Sequence, residues 1–85
     1  MRSCRSGTVA DINPIRGMVA IATEDDGYTI IELLSDWNIG DSIVWANGHG
    51  LGSEVYENVT KGTSEEVYVQ NHAVSPDNLR QQLLL

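Results

Sequence analysis

Gly7-Thr8-Val9-Ala10-Asp11-Ile12-Asn13-Pro14-Ile15-Arg16-Gly17-Met18-Val19-Ala20-Ile21 is the stretch on which the fold turns. Its first half is rich in β-branched and small residues and ends at Asn13-Pro14, where proline removes a backbone donor and stops a strand ladder. After Arg16-Gly17 a second run begins at Met18. Two extended runs joined by a short connection bearing Pro and Gly read as an antiparallel strand pair over residues 8–13 and 18–23.

The same grammar repeats along the chain. Glu24-Asp25-Asp26-Gly27 is a hairpin turn in which Asp-Gly supplies positive φ, and it leads into a third strand over residues 28–34. Residues 35–41 form a connection, residues 42–46 a fourth strand, and Gly48, Gly50 and Gly52 mark a loop. A fifth strand over 54–60 and a sixth over 65–74 flank the turn Lys61-Gly62-Thr63-Ser64. Ser75-Pro76-Asp77 then starts a short helix that runs to about Leu83: serine at the N-cap, proline in the first turn, an acid near the positive end of the dipole. Leu79 and Leu83 are four apart and share one helix face.

Period-two alternation assigns the faces of the central hairpin. Val19, Ile21, Ile31 and Leu33 point inward, which leaves Met18, Ala20, Ile30 and Glu32 on the outside. Short strands with regular turns imply a small antiparallel barrel or sandwich.

Eighty-five residues make one domain with a small core. Five Lys+Arg against twelve Asp+Glu give a formal charge of −7, a field that keeps the chain in solution and repels a polyanion unless basic residues gather on one face. Arg2 and Arg5 belong to a flexible tail over residues 1–6, so only Arg16, Lys61 and Arg80 remain for such a patch. The lone Cys4 excludes an intramolecular disulfide and suits a reducing cytoplasm. No apolar run follows Met-Arg-Ser-Cys-Arg, so there is no signal peptide, and no segment reaches membrane-spanning length. Asn58-Val59-Thr60 matches a glycosylation sequon that has no meaning without a secretory signal.

Residues 7–60 resemble the cold-shock domain, a five-stranded OB-fold barrel. The family opens with Gly-x-Val, then Lys-Trp-Phe-Asn, a short spacer and Lys-Gly-Phe-Gly-Phe-Ile. Here Gly7-Thr8-Val9 is followed by Ala10-Asp11-Ile12-Asn13, Pro14-Ile15 and Arg16-Gly17-Met18-Val19-Ala20-Ile21. Ile39-Gly40-Asp41-Ser42-Ile43-Val44-Trp45 is similar to the stretch before the family's fourth strand, and Glu57-Asn58-Val59-Thr60 to its closing Ala-x-Asn-Val. The resemblance implies an all-β, five-stranded OB-like antiparallel barrel over residues 7–60, extended by a strand and a short α-helix over 61–85.

The family's binding surface is not retained. Cold-shock domains stack bases on aromatics over a basic face. At the matching positions stand Asp11, Ile12, Met18 and Ala20, with Ile30 for a further aromatic and Glu32 for a histidine; only Asn13 and Arg16 are kept. Each lost aromatic removes about 1–3 kcal/mol per stacked base. What is left is a mildly apolar strip, Ile12, Met18, Ala20 and Ile30, edged by Asp11, Arg16 and Glu32. A protein partner fits it, methionine being adaptable at such surfaces. The alternative is that residues 61–85 cover it, in cis or in a homodimer.

Other constellations carry less. The glycine loop lacks the following helix that a phosphate site needs. His49 and His72 lack metal-ligand spacing, Glu24-Asp25-Asp26 lacks that of a calcium loop, and Cys4 has no base beside it. Trp45 belongs at the barrel wall and Trp37 over a barrel end; Tyr28, Tyr56 and Trp37, if exposed together, would form another recognition patch. The expectation is a non-enzymatic binding module without cofactor or metal, acting through a protein partner or a second copy. The alternative is weak binding of single-stranded nucleic acid by a patch of Arg16, Lys61 and Arg80.

Overall fold

The computed structural model describes residues 5–23, 27–33, 36–46 and 50–83. Cys4, the Glu24-Asp25-Asp26 turn, Gly48 and His49 lie outside the described residues. Six strands precede a single turn of 3-10 helix and a short α-helix: β1 (Arg5–Asn13), β2 (Met18–Thr23), β3 (Gly27–Glu32), β4 (Ser42–Trp45), β5 (Gly52–Asn58), β6 (Thr63–Val74), the 3-10 turn (Pro76–Asn78) and α1 (Leu79–Leu83).

The strands close into one antiparallel barrel in the order β1-β2-β3-β6-β5-β4. Two meanders, β1-β2-β3 and β4-β5-β6, meet along β1–β4 and β3–β6. The expectation of five strands with a strand-and-helix extension is corrected: β6 is a barrel stave between β5 and β3, and the barrel runs from Arg5 to Val74. The reason is that β6 carries inward Val67 and Val69, 3% and 1% exposed, and without it β3 and β5 would each present an open edge. A closed small antiparallel barrel is compatible with an OB-like fold.

The interior holds Val9, Val19, Ile21, Ile31, Leu33, Trp37, Ile43, Trp45, Tyr56, Val67 and Val69. The alternation in β2 and β3 therefore runs as the sequence requires, with Val19 directly opposite Ile31. Trp45 faces Tyr56 across β4–β5, rings parallel with centroids 4.5 Å apart. Two glycines admit close approach. A Cβ on Gly7 would sit 2.5 Å from both the Ala22 carbonyl oxygen and Ile21 Cγ2. Gly17, with φ of 67°, turns the chain from β1 into β2 while its carbonyl accepts a 2.8 Å bond from the Leu33 N–H.

A second apolar cluster lies outside the barrel wall. Met18, Ala20 and Ile30 meet Val74 and Leu83, with Tyr28 and Leu79 packed against them. An isolated five-residue helix has no stability of its own, so these contacts hold α1 in place. Asn13 Nδ2 adds a 2.7 Å bond to the Leu83 carbonyl oxygen.

The barrel end at the β3–β4 connection is tied by Asp41. Its Oδ2 accepts from the Asn38 backbone N–H at 2.9 Å and from Asn58 Nδ2 at 2.8 Å. Lys61 Nζ lies 3.9 Å from the same oxygen and donates to Asn38 Oδ1 at 2.5 Å. These bonds hold the Asp41 carboxyl below its ordinary value of 3.8; the Asn38 N–H has the largest effect, then Asn58, with Lys61 contributing least and burial opposing all three.

Candidate functional site

The residues of the expected partner strip separate in three dimensions. Met18, Ala20 and Ile30 do lie on the outside of the wall, but α1 covers them in cis; Ala20 and Ile30 are fully buried. Ile12 is corrected. The β1–β2 register shifts between Val9 and Asp11, so the residues beyond the bulge exchange faces. Ile12 pairs with inward Val19 and packs against the barrel core, while Asp11 and Asn13 pair with Ala20 and Met18. The resemblance to the cold-shock pattern, which sets Ile12 at an outward aromatic position, implied the opposite.

Arg16 and Glu32 remain exposed. Arg16 forms no ion pair with another described residue, and Glu32 accepts from Gln70 Nε2. Both line a groove of about 470 Å³ on the β3–β6–β5 side of the barrel, together with Ser53, Glu65, Glu66 and Tyr68. Tyr68 stands opposite Glu32 on one side and Ser53 on the other, with its ring 52% exposed. Val55, 63% exposed, stands opposite Glu66, so Val55 and Tyr68 are diagonal neighbours on the outer face of β5 and β6. Half-buried Val44, opposite Glu57 on β4, continues this apolar diagonal. The result is an apolar stripe over three strands, flanked by Glu32, Glu57 and Glu66.

Tyr68 and Val55 were absent from the strip read in the sequence. The signal was available: alternation carried through β5 and β6 puts Val67 and Val69 inside and Val55 and Tyr68 outside.

The three residues of the candidate basic patch lie on three different elements. Lys61 is engaged at the Asp41 corner, Arg80 is exposed on α1, and Arg16 lies on the β1–β2 turn. The aromatic alternative fails on burial, since Tyr56 is fully buried and Trp37 only 5% exposed. Half-buried His72 bridges Thr29 Oγ1 and the Gly50 carbonyl, each at 2.9 Å. Among the described residues no group of three or more His, Cys, Asp or Glu is placed to hold a metal ion, and no helix is long and apolar enough to cross a membrane.

Comparison with known proteins returns no matching family model, no matching curated protein and no matching solved structure.

Proposed function

We propose that this chain is a non-enzymatic, cytoplasmic binding module on an OB-like, cold-shock-related barrel, and that it docks a protein segment along the groove formed by Arg16, Glu32, Ser53, Glu66 and Tyr68. The observation that carries this reading is the diagonal of exposed Val55 and Tyr68, continued by half-buried Val44, with carboxylates on its flanks. Apolar side chains held in water on a regular sheet face favour a partner that removes them from it. The flanking acids, within a chain of net charge −7, select a partner segment that pairs an apolar residue with lysine or arginine. The same acids oppose the competing reading, single-stranded nucleic acid, because a phosphate backbone brought to this groove meets Glu32, Glu65 and Glu66 against one arginine.

Site-specific photo-crosslinking in the native cell tests it. A photoreactive residue at position 55 or 68 is expected to yield a discrete protein adduct, and the same residue at position 8, on the opposite wall, none. Adducts to nucleic acid, or a pattern independent of position, would count against protein docking. A dimer-sized adduct would identify the partner as a second copy.

A further inference from the structure

The barrel is open beside the β1–β2 turn, and the opening is a cavity of about 340 Å³. Small-molecule sites fall in the range of about 300–1,000 Å³. The floor is the barrel core itself: Ile12, Val19, Leu33 and Trp37. The rim carries one cation and one anion, Arg16 and Asp36, both exposed. Neither is in an ion pair with another described residue, although both line the same cavity.

The turn at the rim is fixed before any ligand arrives. Asn13 Oδ1 accepts from the backbone N–H groups of Ile15 at 3.2 Å and Arg16 at 3.4 Å, and the Gly17 carbonyl is tied to Leu33. A site whose backbone is already ordered loses little freedom on binding. Ile15, also on the rim, leaves 92% of its surface in water. A ligand with an apolar body that touches it takes that surface out of water.

The two rim charges select the ligand. A molecule with only an anionic head would reach Arg16 but face Asp36 within a strongly negative chain. One with only a cationic head would reach Asp36 and face Arg16. A small molecule with both charges on one carbon and an apolar body answers the whole lining. We propose that the cavity binds a free apolar α-amino acid: its carboxylate accepts from Arg16, its ammonium donates to Asp36, and its side chain lies on Ile12, Val19, Leu33 and Trp37. This site adjoins the docking groove and shares Arg16, Gly17 and Leu33 with it, while Asp36 and Trp37 line the cavity alone and tell the two apart.

The test is an NMR titration of the full ¹⁵N-labelled chain with L-leucine and L-phenylalanine. 4-Methylpentanoate, isoamylamine and glycine remove the ammonium, the carboxylate and the apolar body of leucine in turn. The proposal expects saturable shifts at Ile12, Val19 and the Trp37 indole N–H with the two amino acids and binding at least roughly tenfold weaker with each of the three controls. Arg16→Gln and Asp36→Asn should each weaken binding roughly tenfold, as loss of one charge-assisted hydrogen bond implies, while the Ile21 and Ile43 amides keep their native positions. Absence of saturable shifts, equal response to a singly charged control, or unchanged affinity in the correctly folded Asp36→Asn chain would overturn it.

Discussion

Tyr56 joins two opposing properties in one side chain. Its ring stacks on Trp45 in the barrel core, yet its hydroxyl is buried with no hydrogen-bond partner among the described residues. Burial, then the nearby Glu54 carboxylate, raises its pKa well above the ordinary 10.0, with Arg5 opposing in part. A raised folded value means the contribution to stability is complete below pH 10 and falls away as pH rises beyond it, because the unfolded chain ionises first. Tyr56→Phe keeps the stack and removes the orphan hydroxyl. Chemical denaturation should find it more stable by about 1 kcal/mol, with a shallower loss of stability at alkaline pH. Gly7→Ala works in the other direction. Its new Cβ overlaps the Ala22 carbonyl and the Ile21 side chain, neither free to retreat from the packed β1–β2 pair. An overpacking cost of about 1–3 kcal/mol should appear as a lower urea midpoint at unchanged slope.

At the scale of elements, α1 decides what the outer wall offers. The strip of Met18, Ala20 and Ile30 was legible in the sequence as an apolar outer face, and so were Leu79 and Leu83 as a helix face. Coverage of the strip by residues 61–85 was foreseeable from their unpartnered apolar side, but whether it happens in cis was not, because nothing in a period of two or 3.6 says where a terminal helix lands. Leu83→Ala empties a fully buried position and should cost about 2 kcal/mol, the low end for such truncations because a terminal helix can shift to fill the space. Hydrogen exchange should then accelerate at the Met18, Ala20 and Ile30 amides while the amides of β4 and β5 remain protected; uniform acceleration across the barrel would show that α1 is part of one cooperative unit. The β-bulge near Ala10 is the other decision made by an element. It turns Ile12 from the expected partner strip toward the barrel core and brings Asn13 to the outer side, where its Nδ2 holds the Leu83 carbonyl. A one-residue bulge leaves no mark in composition or alternation, since Ala10, Asp11 and Ile12 fit either register.

For the molecule as a whole, the Asp41 corner links its acid stability to its topology. The carboxylate joins the β3–β4 connection to Asn58 at the end of β5. Its folded pKa lies below 3.8, so its stabilisation is present above that value and is lost as pH falls through the lower, folded one. Asp41→Asn should be less stable than the parent at neutral pH, and the two stability curves should converge as pH falls below 3.8; a constant difference at all pH values would sever the link.

By itself the sequence determined the class of this protein and the two sides of its central hairpin. Strand-breaking Asn13-Pro14, glycines at turns and period-two alternation are local, and local sterics and burial suffice to read them. It also shows Asp11, Ile12, Met18 and Ala20 where the pattern it resembles carries aromatics, because side-chain chemistry is written directly in the residues. The tertiary structure alone decided that β6 closes the barrel, that α1 covers the Met18–Ile30 strip, and that exposed Arg16 meets Tyr68 in one groove and Asp36 at one cavity. Those outcomes depend on contacts between residues tens of positions apart, formed where edges must be paired and apolar faces removed from water, and no local pattern encodes which distant partner satisfies that need.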